Sequence, residues 1–365
     1  MLYHKIDVEK FVGLAQKHPV LDVRSEGEFA HAHIPKAISL PLFSDDERKV
    51  VGTAYKQQSR ELAIKIGLDF FGPKMRRMVE EVEGVCSQFY SAKEASNLES
   101  KTVLVHCWRG GMRSGAVAWL LGLYGFEVHT LSGGYKAFRN WVLRKYNHSY
   151  PLKVLGGYTG SGKTILLQQL QEKGECILDL EALATHKGSA FGALDSPQPS
   201  QEMFENMLAT HLSKICTLNG NNLEGKFIWV EDESQRIGNI TIPKPFWENM
   251  RESQVFFIDI PFKERLDYIC QEYGSLGRLS LHDSILRINK RLGPLETKNA
   301  LAFLANDNLK ECFEILLRYY DKWYRKGLDK RNGNNILALP LDKVRDENNV
   351  HHLLNTISAK PKVDQ

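Results

Sequence analysis

Short, wholly apolar runs alternate with amphipathic stretches along most of the chain, and the alternation starts afresh about two-fifths of the way in. Residues 19–23 (PVLDV) and 102–107 (TVLVHC) are apolar and rich in β-branched residues, the pattern of strands covered on both faces. Residues 113–125 have helical spacing and end at Gly125, a residue suited to stopping a helix. A further strand is predicted at 127–131, and residues 133–146 open at paired glycines and continue as an amphipathic helix. Strand–helix alternation of this kind predicts an α/β domain. The polar, proline-ended segment 147–151 reads as a linker. Strands are then expected at 175–180, 226–232 and 254–260, and helices at 200–218, 261–273 and 308–326. The expected organisation is α/β throughout: a first domain over 1–146, a linker over 147–151, a second parallel-sheet domain with helical elements over 152–340, and a C-terminal helix and tail over 341–365.

Composition narrows the class without naming it. The chain has 365 residues, of which 42% are hydrophobic, enough for two or three domains with their own cores. No apolar run approaches the ~18–20 residues that span a bilayer. The first residues, MLYHKIDVEKFVGL, show neither the apolar core nor the cleavage site of a signal peptide. The expectation is a cytoplasmic protein with no membrane partner. Its six cysteines (86, 107, 176, 216, 270 and 312) form no CxxC pair, which argues for free thiols rather than a zinc site or a disulfide framework. A net charge of +4 permits an anionic partner and demands none.

One cysteine stands out. In HCWRGGMRS (106–114), Cys107 ends a predicted strand and a helix begins near Arg113. The intervening Trp108, Arg109, Gly110, Gly111 and Met112 must wrap into a loop, and the two glycines let backbone N–H groups turn inward. The helix N-terminus adds partial positive charge. Arg113 can fork onto an anion, and Ser114 follows it. Each of these features lowers a thiol pKa. The upstream stretch LDVRSEGEFAHAHIPKAISLPL (21–42) resembles the rhodanese signature, and residues 1–145 as a whole look like a rhodanese domain. The C-x5-R loop departs from the pattern, being longer than the six-residue loop of ordinary rhodaneses, and H-C-x5-R-S also matches cysteine phosphatases. Loop length leaves sulfur transfer, selenium transfer and phosphate-ester hydrolysis open.

A second anion cradle follows the linker. Gly157, Tyr158, Thr159, Gly160, Ser161, Gly162, Lys163 and Thr164 fit G-x4-G-K-[ST], placed after a predicted strand and opening a helix. Backbone N–H groups would surround a diphosphate, Lys163 would neutralise it, and the Thr164 hydroxyl would hold Mg²⁺. Asp179, Glu231 and Asp232 are candidates to assist the cation or act as a base. The motif by itself points to ATP or GTP.

The collinear set of further stretches is more specific. The insertion at 45–67, GGYKAFR (133–139), DLEALATHKGSAFG (179–192), SQEMFENML (200–208), EDESQRIGN (231–239), KRLGP (290–294) and YYDKWY (319–324) occur in order. With the two cradles they resemble the tRNA 2-selenouridine synthase family over essentially the whole chain. The resemblance implies a rhodanese-like domain followed by a P-loop NTPase-like domain. It implies S-geranylation of wobble 2-thiouridine in tRNAs for lysine, glutamate and glutamine by geranyl diphosphate, then replacement of the geranylthio group with selenium from selenophosphate, a donor that selenophosphate synthetase could deliver. It puts the catalytic cysteine on Cys107 and the Walker lysine on Lys163. Trp229, Phe246, Trp247 and Phe256 are considered as an apolar wall for the geranyl chain. Arg287, Arg291, Arg318 and Arg325, in a basic cluster with Arg278, Lys290, Lys322 and Lys326, are candidates to meet the anticodon arm. The alternative reading is an ATP-dependent tRNA sulfurtransferase with a Cys107 persulfide.

Overall fold

The computed structural model describes residues 3–91, 101–186, 197–219, 226–274, 277–331 and 333–358. Part of the stretch 179–192 and the tail 359–365 lie outside them. The chain divides into two compact units, Met1–Lys145 with Ser200–Thr210, and Tyr146–Pro199 with His211–Gln365.

The first unit is built on a five-stranded sheet in the order His4–Ile6, Glu127–Leu131, Thr102–His106, Val20–Asp22, Ile38–Ser39. Every pairing is parallel. The apolar run 102–107 becomes the central strand, buried along its length, as a parallel strand covered on both faces should be. Its neighbours at 20–22 and 127–131 flank it, so the chain after Thr102–His106 emerges at the middle of the sheet's carboxyl edge, where open α/β sheets place ligands. The helix Met112–Tyr124 packs Val117, Ala118 and Leu121 into the core and ends at Gly125, whose φ of 110° closes it. The insertion at 45–67 forms two helices, Asp45–Gln57 and Arg60–Phe71, each started by a serine whose hydroxyl accepts a backbone N–H. The helix Met75–Ser91 follows and buries Met78, Val82 and Cys86.

Ser200–Thr210 belong with this unit although they are 55 residues beyond its main segment. The sequence pattern assigns the whole helix 200–218 to the second domain. The observed helix, Gln201–Leu218, is shared, because its first turns carry side chains that bond to the first unit's backbone.

The second unit has its own five-stranded parallel sheet, ordered Ile336–Pro340, Gln254–Asp259, Leu152–Gly157, Ile228–Glu231, Cys176–Leu178. The strand Leu152–Gly157 is central and fully buried. Against this sheet the helices Lys163–Glu172 and Asn348–Ser358 pack around Leu166, Leu170, Trp229, Phe256 and Leu353. The helices Phe262–Tyr273, Arg278–Leu292, Pro294–Ala305 and Leu309–Leu328 close a separate core around Ile285, Phe313 and Leu317. This is the helical part that the sequence pattern anticipates. Among the described residues no helix is long and apolar enough to cross a membrane.

Candidate active sites

Cys107 leaves the central strand of the first sheet and is buried. Its Sγ lies 3.3 Å from Ser114 Oγ, at the first turn of Met112–Tyr124. Burial alone would raise the thiol pKa. The Ser114 hydroxyl, the N–H groups of Ser114 and Gly111, and the Arg113 charge outweigh it, so the thiol lies below its ordinary range. Cys86 and Cys312, also buried but without such donors, are pushed up to about 11. The contrast lies in the cradle's donors rather than in burial.

The glycines of the loop and of GGYKAFR fit each other. Gly110 adopts φ 65°, and a side chain there would meet Leu131 O at 2.4 Å. A side chain on Gly134, φ 61°, would meet Cys107 O at 2.3 Å and Gly110 N at 2.4 Å. The helix Gly134–Lys145 can then start directly behind the cysteine, with Tyr135 N donating to Cys107 O at 2.8 Å and Lys136 N to Trp108 O at 3.0 Å. Trp108, Arg109 and Met112 are exposed at the loop's outer side. Arg113 does not stand free: its Nη1 donates to Glu28 Oε2 at 2.8 Å. Glu28, in the upstream stretch 21–42, also closes a capping box with Ser25. Beneath the loop, Arg24 and Asp22 form a buried ion pair at 2.6 Å, and His106 Nε2 sits 3.6 Å from Asp22.

In the second unit the G-x4-G-K-T segment joins the central strand to the helix Lys163–Glu172. Gly160 and Gly162 adopt φ 79° and 73°, and a side chain on Gly157 would strike Ser161 Oγ at 2.4 Å. These are the requirements of a loop whose N–H groups face an anion. Lys163 Nζ donates to Gly157 O at 3.0 Å. Arg265, buried, donates to Thr159 O at 3.0 Å and makes a two-pronged pair with Asp321 at 2.9 and 2.8 Å. The Tyr324 hydroxyl accepts from Gly157 N at 2.9 Å and donates to Asp232 Oδ2 at 2.8 Å. The stretch YYDKWY therefore fixes the loop from two sides.

The loop opens into a cavity of about 910 Å³. At one end lie Lys163, Thr164, Glu181, Glu231 and Glu233; Trp247, Tyr273, Tyr319, Tyr320 and Trp323 line it further on, with Arg251, Arg291 and Lys330. The carboxylates of Glu181, Glu231 and Glu233 offer ligand oxygens within 4.8 Å of one another. Glu231 is buried and its Oε1 has no hydrogen-bond partner. Burial, with the Glu181 charge adding and Lys163 opposing, pushes Glu231 up to about 8; burial and both neighbouring glutamates push Glu233 well above the carboxylate range. Three hard oxygen donors beside the Thr164 hydroxyl, with an orphaned buried oxygen among them, fit a divalent cation.

Of the sequence candidates for this role, Glu231 and Thr164 are at the cluster. Asp232 is engaged instead with Tyr324 and, at 2.5 Å, with Arg331, and the Asp179 carboxylate caps the helix Leu180–Ala184. Glu181 and Glu233 were not singled out in the sequence, where each is one acid among several. Trp229, Phe246 and Phe256 are core residues, and of the four considered as an apolar wall only Trp247 borders the cavity. Among the basic candidates, Arg291 lines the cavity. Arg287 donates to Ser284 Oγ, Arg318 pairs with Glu314 at 2.8 Å and Arg278 pairs with Asp307; Arg325 is exposed.

Comparison with known proteins agrees with both halves. Residues 7–140 match the rhodanese-like domain, and residues 150–352 match the tRNA 2-selenouridine synthase AAA domain. A protein of Bdellovibrio bacteriovorus named tRNA 2-selenouridine synthase is 35% identical over 361 residues, covering 87% of this chain and 90% of its own. A protein of Nitrosomonas europaea with the same name is 36% identical over 260 residues; that match covers 70% of this chain and spans 63% of the relative's length. The solved N-terminal domain of a Clostridium difficile 630 protein, the whole of which is described as an ATP/GTP binding protein, is 38% identical over 38% of this chain and 98% of its own, with a TM-score of 0.32. With the AAA domain matched over more than half of the chain, and a relative matched nearly end to end, the chain belongs to the tRNA 2-selenouridine synthase family.

Proposed function

We propose that this chain converts wobble 2-thiouridine in tRNA to 2-selenouridine through an S-geranyl intermediate, with geranyl diphosphate and selenophosphate as co-substrates. The observation that carries the reading is that one chain holds two unlike glycine-rich loops of the kind that can cradle an anion: one around a buried cysteine whose thiol is lowered, and a P-loop at the end of an aromatic-lined cavity.

The chemistry needs two such sites. A thiocarbonyl sulfur leaves poorly. In the first step that sulfur attacks C1 of the geranyl group, the C1–O bond breaks, diphosphate departs and the base loses its N3 proton. Lys163 and the inward N–H groups of residues 159–163 neutralise the departing charge. Glu181, Glu231, Glu233 and Thr164 would hold Mg²⁺, which adds Lewis-acid stabilisation of the same diphosphate. Trp247, Tyr319, Tyr320 and Trp323 supply the face an isoprenoid chain needs. In the second step the Cys107 thiolate attacks phosphorus of selenophosphate and the P–Se bond breaks; the hydrogen selenide released adds at C2 of the base, geranylthiolate is expelled, and water hydrolyses the phosphorylated cysteine to phosphate. The Cys107 loop binds selenophosphate, and its extra residue suits a phosphate-bearing donor. Arg287, Arg291, Arg318 and Arg325 are proposed contacts for the anticodon arms of tRNAs for lysine, glutamate and glutamine.

The test is nucleoside mass spectrometry of thiolated tRNA after incubation with the protein and geranyl diphosphate, then selenophosphate. S-geranyl-2-thiouridine followed by 2-selenouridine is expected. Dependence on ATP, with no geranylated species, would replace this reading with sulfur transfer.

A further inference from the structure

The stretch SQEMFEN, separated in sequence from the cysteine loop by nearly a hundred residues, is bound directly behind it. Ser200 Oγ donates to His31 O at 2.6 Å and accepts Met203 N at 3.1 Å, fixing the helix start. Asn206 is fully buried. Its amide donates to His33 O at 2.9 Å and to the Tyr135 hydroxyl at 2.8 Å, and its carbonyl accepts from Arg139 at 2.5 Å. Both amide hydrogens and the carbonyl oxygen are thus engaged. The Tyr135 hydroxyl in turn donates to Glu202 Oε1 at 2.8 Å. Arg139 also reaches Glu205 at 2.5 Å. Two positions beyond Gly133, Tyr135 thus has both ends tied: its hydroxyl to Glu202 and Asn206, its backbone N–H to Cys107 O at 2.8 Å. The Arg24 guanidinium lies 3.8 Å over its ring, held there by Asp22 and by Ala32 O.

We propose that Glu202, Asn206 and Tyr135 are positioning residues for Cys107: the segment Ser200–Thr210 braces the Gly133–Gly134 turn and so keeps the cysteine loop in the shape that aims its N–H groups at sulfur. The close approach of Gly134 to Cys107 O and Gly110 N leaves no slack between turn and loop, so a shift of Tyr135 is passed to the loop backbone. The brace is distinct from the thiol's own contacts, which come from Gly111, Arg113 and Ser114. It acts on the cysteine's reactivity whatever group the cysteine carries, and stands or falls separately from the proposed reaction.

The experiment measures the pH dependence of iodoacetamide alkylation at Cys107 in the full chain, read by peptide mass spectrometry so that the other cysteines do not interfere. Tyr135→Phe and Asn206→Ala are compared with wild type and with Val82→Ala, a core variant of the same unit. The brace predicts that the alkylation midpoint rises by about one unit in both brace variants, roughly a tenfold slower reaction below the midpoint. Glu202→Gln, which keeps an acceptor for Tyr135, should stay near wild type, and Val82→Ala should keep the wild-type midpoint despite its lower stability. Wild-type midpoints in folded Tyr135→Phe and Asn206→Ala would overturn the proposal. If Asn206→Ala does not fold, Tyr135→Phe, which keeps the ring and its packing, decides alone. An equal shift in Val82→Ala would also overturn it, by showing that the thiol reports only general loosening.

Discussion

Arg113 shows how little room single residues have for one role. Its guanidinium is committed to Glu28 at 2.8 Å, yet its charge still lowers the Cys107 thiol. Arg113→Lys keeps charge and loses the planar fork. It should slow selenation partially, and peptide-resolved alkylation should show a modest rise in the Cys107 midpoint. Cys107→Ala and Cys107→Ser should both lose selenium incorporation while geranylated tRNA accumulates, because serine cannot form a nucleophilic anion near neutral pH. His106 carries a separate, stability-level consequence. Burial, opposed by Asp22 and aided by Arg24, lowers its pKa to about 4 against an ordinary 6.5. Between those values the unfolded chain binds the proton and the folded one does not, so stability falls as pH drops from 6.5 toward 4. The expected loss at pH 5 is about 2 kcal/mol. Hydrogen-exchange protection factors of the Thr102–His106 strand, taken against the slower intrinsic exchange at low pH, should fall at pH 5 in wild type and much less in a folded His106→Phe variant; an equal fall in the two would assign the effect elsewhere.

Among the elements, the helix Leu309–Leu328 does more than pack. Through Tyr324, and through Asp321 acting by way of Arg265, it holds Gly157 and Thr159 at the start of the phosphate loop. Tyr324→Phe leaves the Gly157 N–H and an Asp232 oxygen without that hydroxyl, at a cost of ~1–3 kcal/mol. Calorimetry should find inorganic pyrophosphate bound roughly tenfold more weakly. Unchanged affinity would make Tyr324 a packing residue only. The acidic end of the cavity has its own test. Mg²⁺ or Mn²⁺ should stabilise the wild-type chain by ~2.7 kcal/mol at a hundredfold excess over Kd, read as a raised thermal midpoint, and Glu233→Gln or Glu181→Gln should remove most of the increase. The sequence made the central strands and both cradles legible, since fully buried strands and glycine-rich turns leave continuous local patterns. Of the four edge strands of the two five-stranded sheets, Cys176–Leu178 falls on an expected run but His4–Ile6, Ile38–Ser39 and Ile336–Pro340 were not legible; an edge strand is only partly covered and need not leave a continuous apolar run. The Glu181–Glu231–Glu233 cluster, the Arg265–Asp321 pair and the brace on Tyr135 were also illegible. Each joins residues far apart in the chain, where neither periodicity nor spacing carries a signal.

At the scale of the whole molecule the proposed reaction is a division of labour: the second unit's P-loop would alkylate sulfur, and the first unit's cysteine loop would deliver selenium. Each unit has its own sheet, its own core and its own anion site, so each step should be removable without the other. The most direct measurement passes one tRNA through two variants. Thiolated tRNA is treated with Cys107→Ala and geranyl diphosphate, repurified, and then given to Lys163→Ala with selenophosphate; nucleosides are read by mass spectrometry after each stage. The account predicts S-geranyl-2-thiouridine and no 2-selenouridine after the first stage, and 2-selenouridine after the second, although Lys163→Ala alone leaves thiolated tRNA unchanged. Geranylation by Lys163→Ala at the wild-type rate, or failure of folded Cys107→Ala to geranylate, would contradict it.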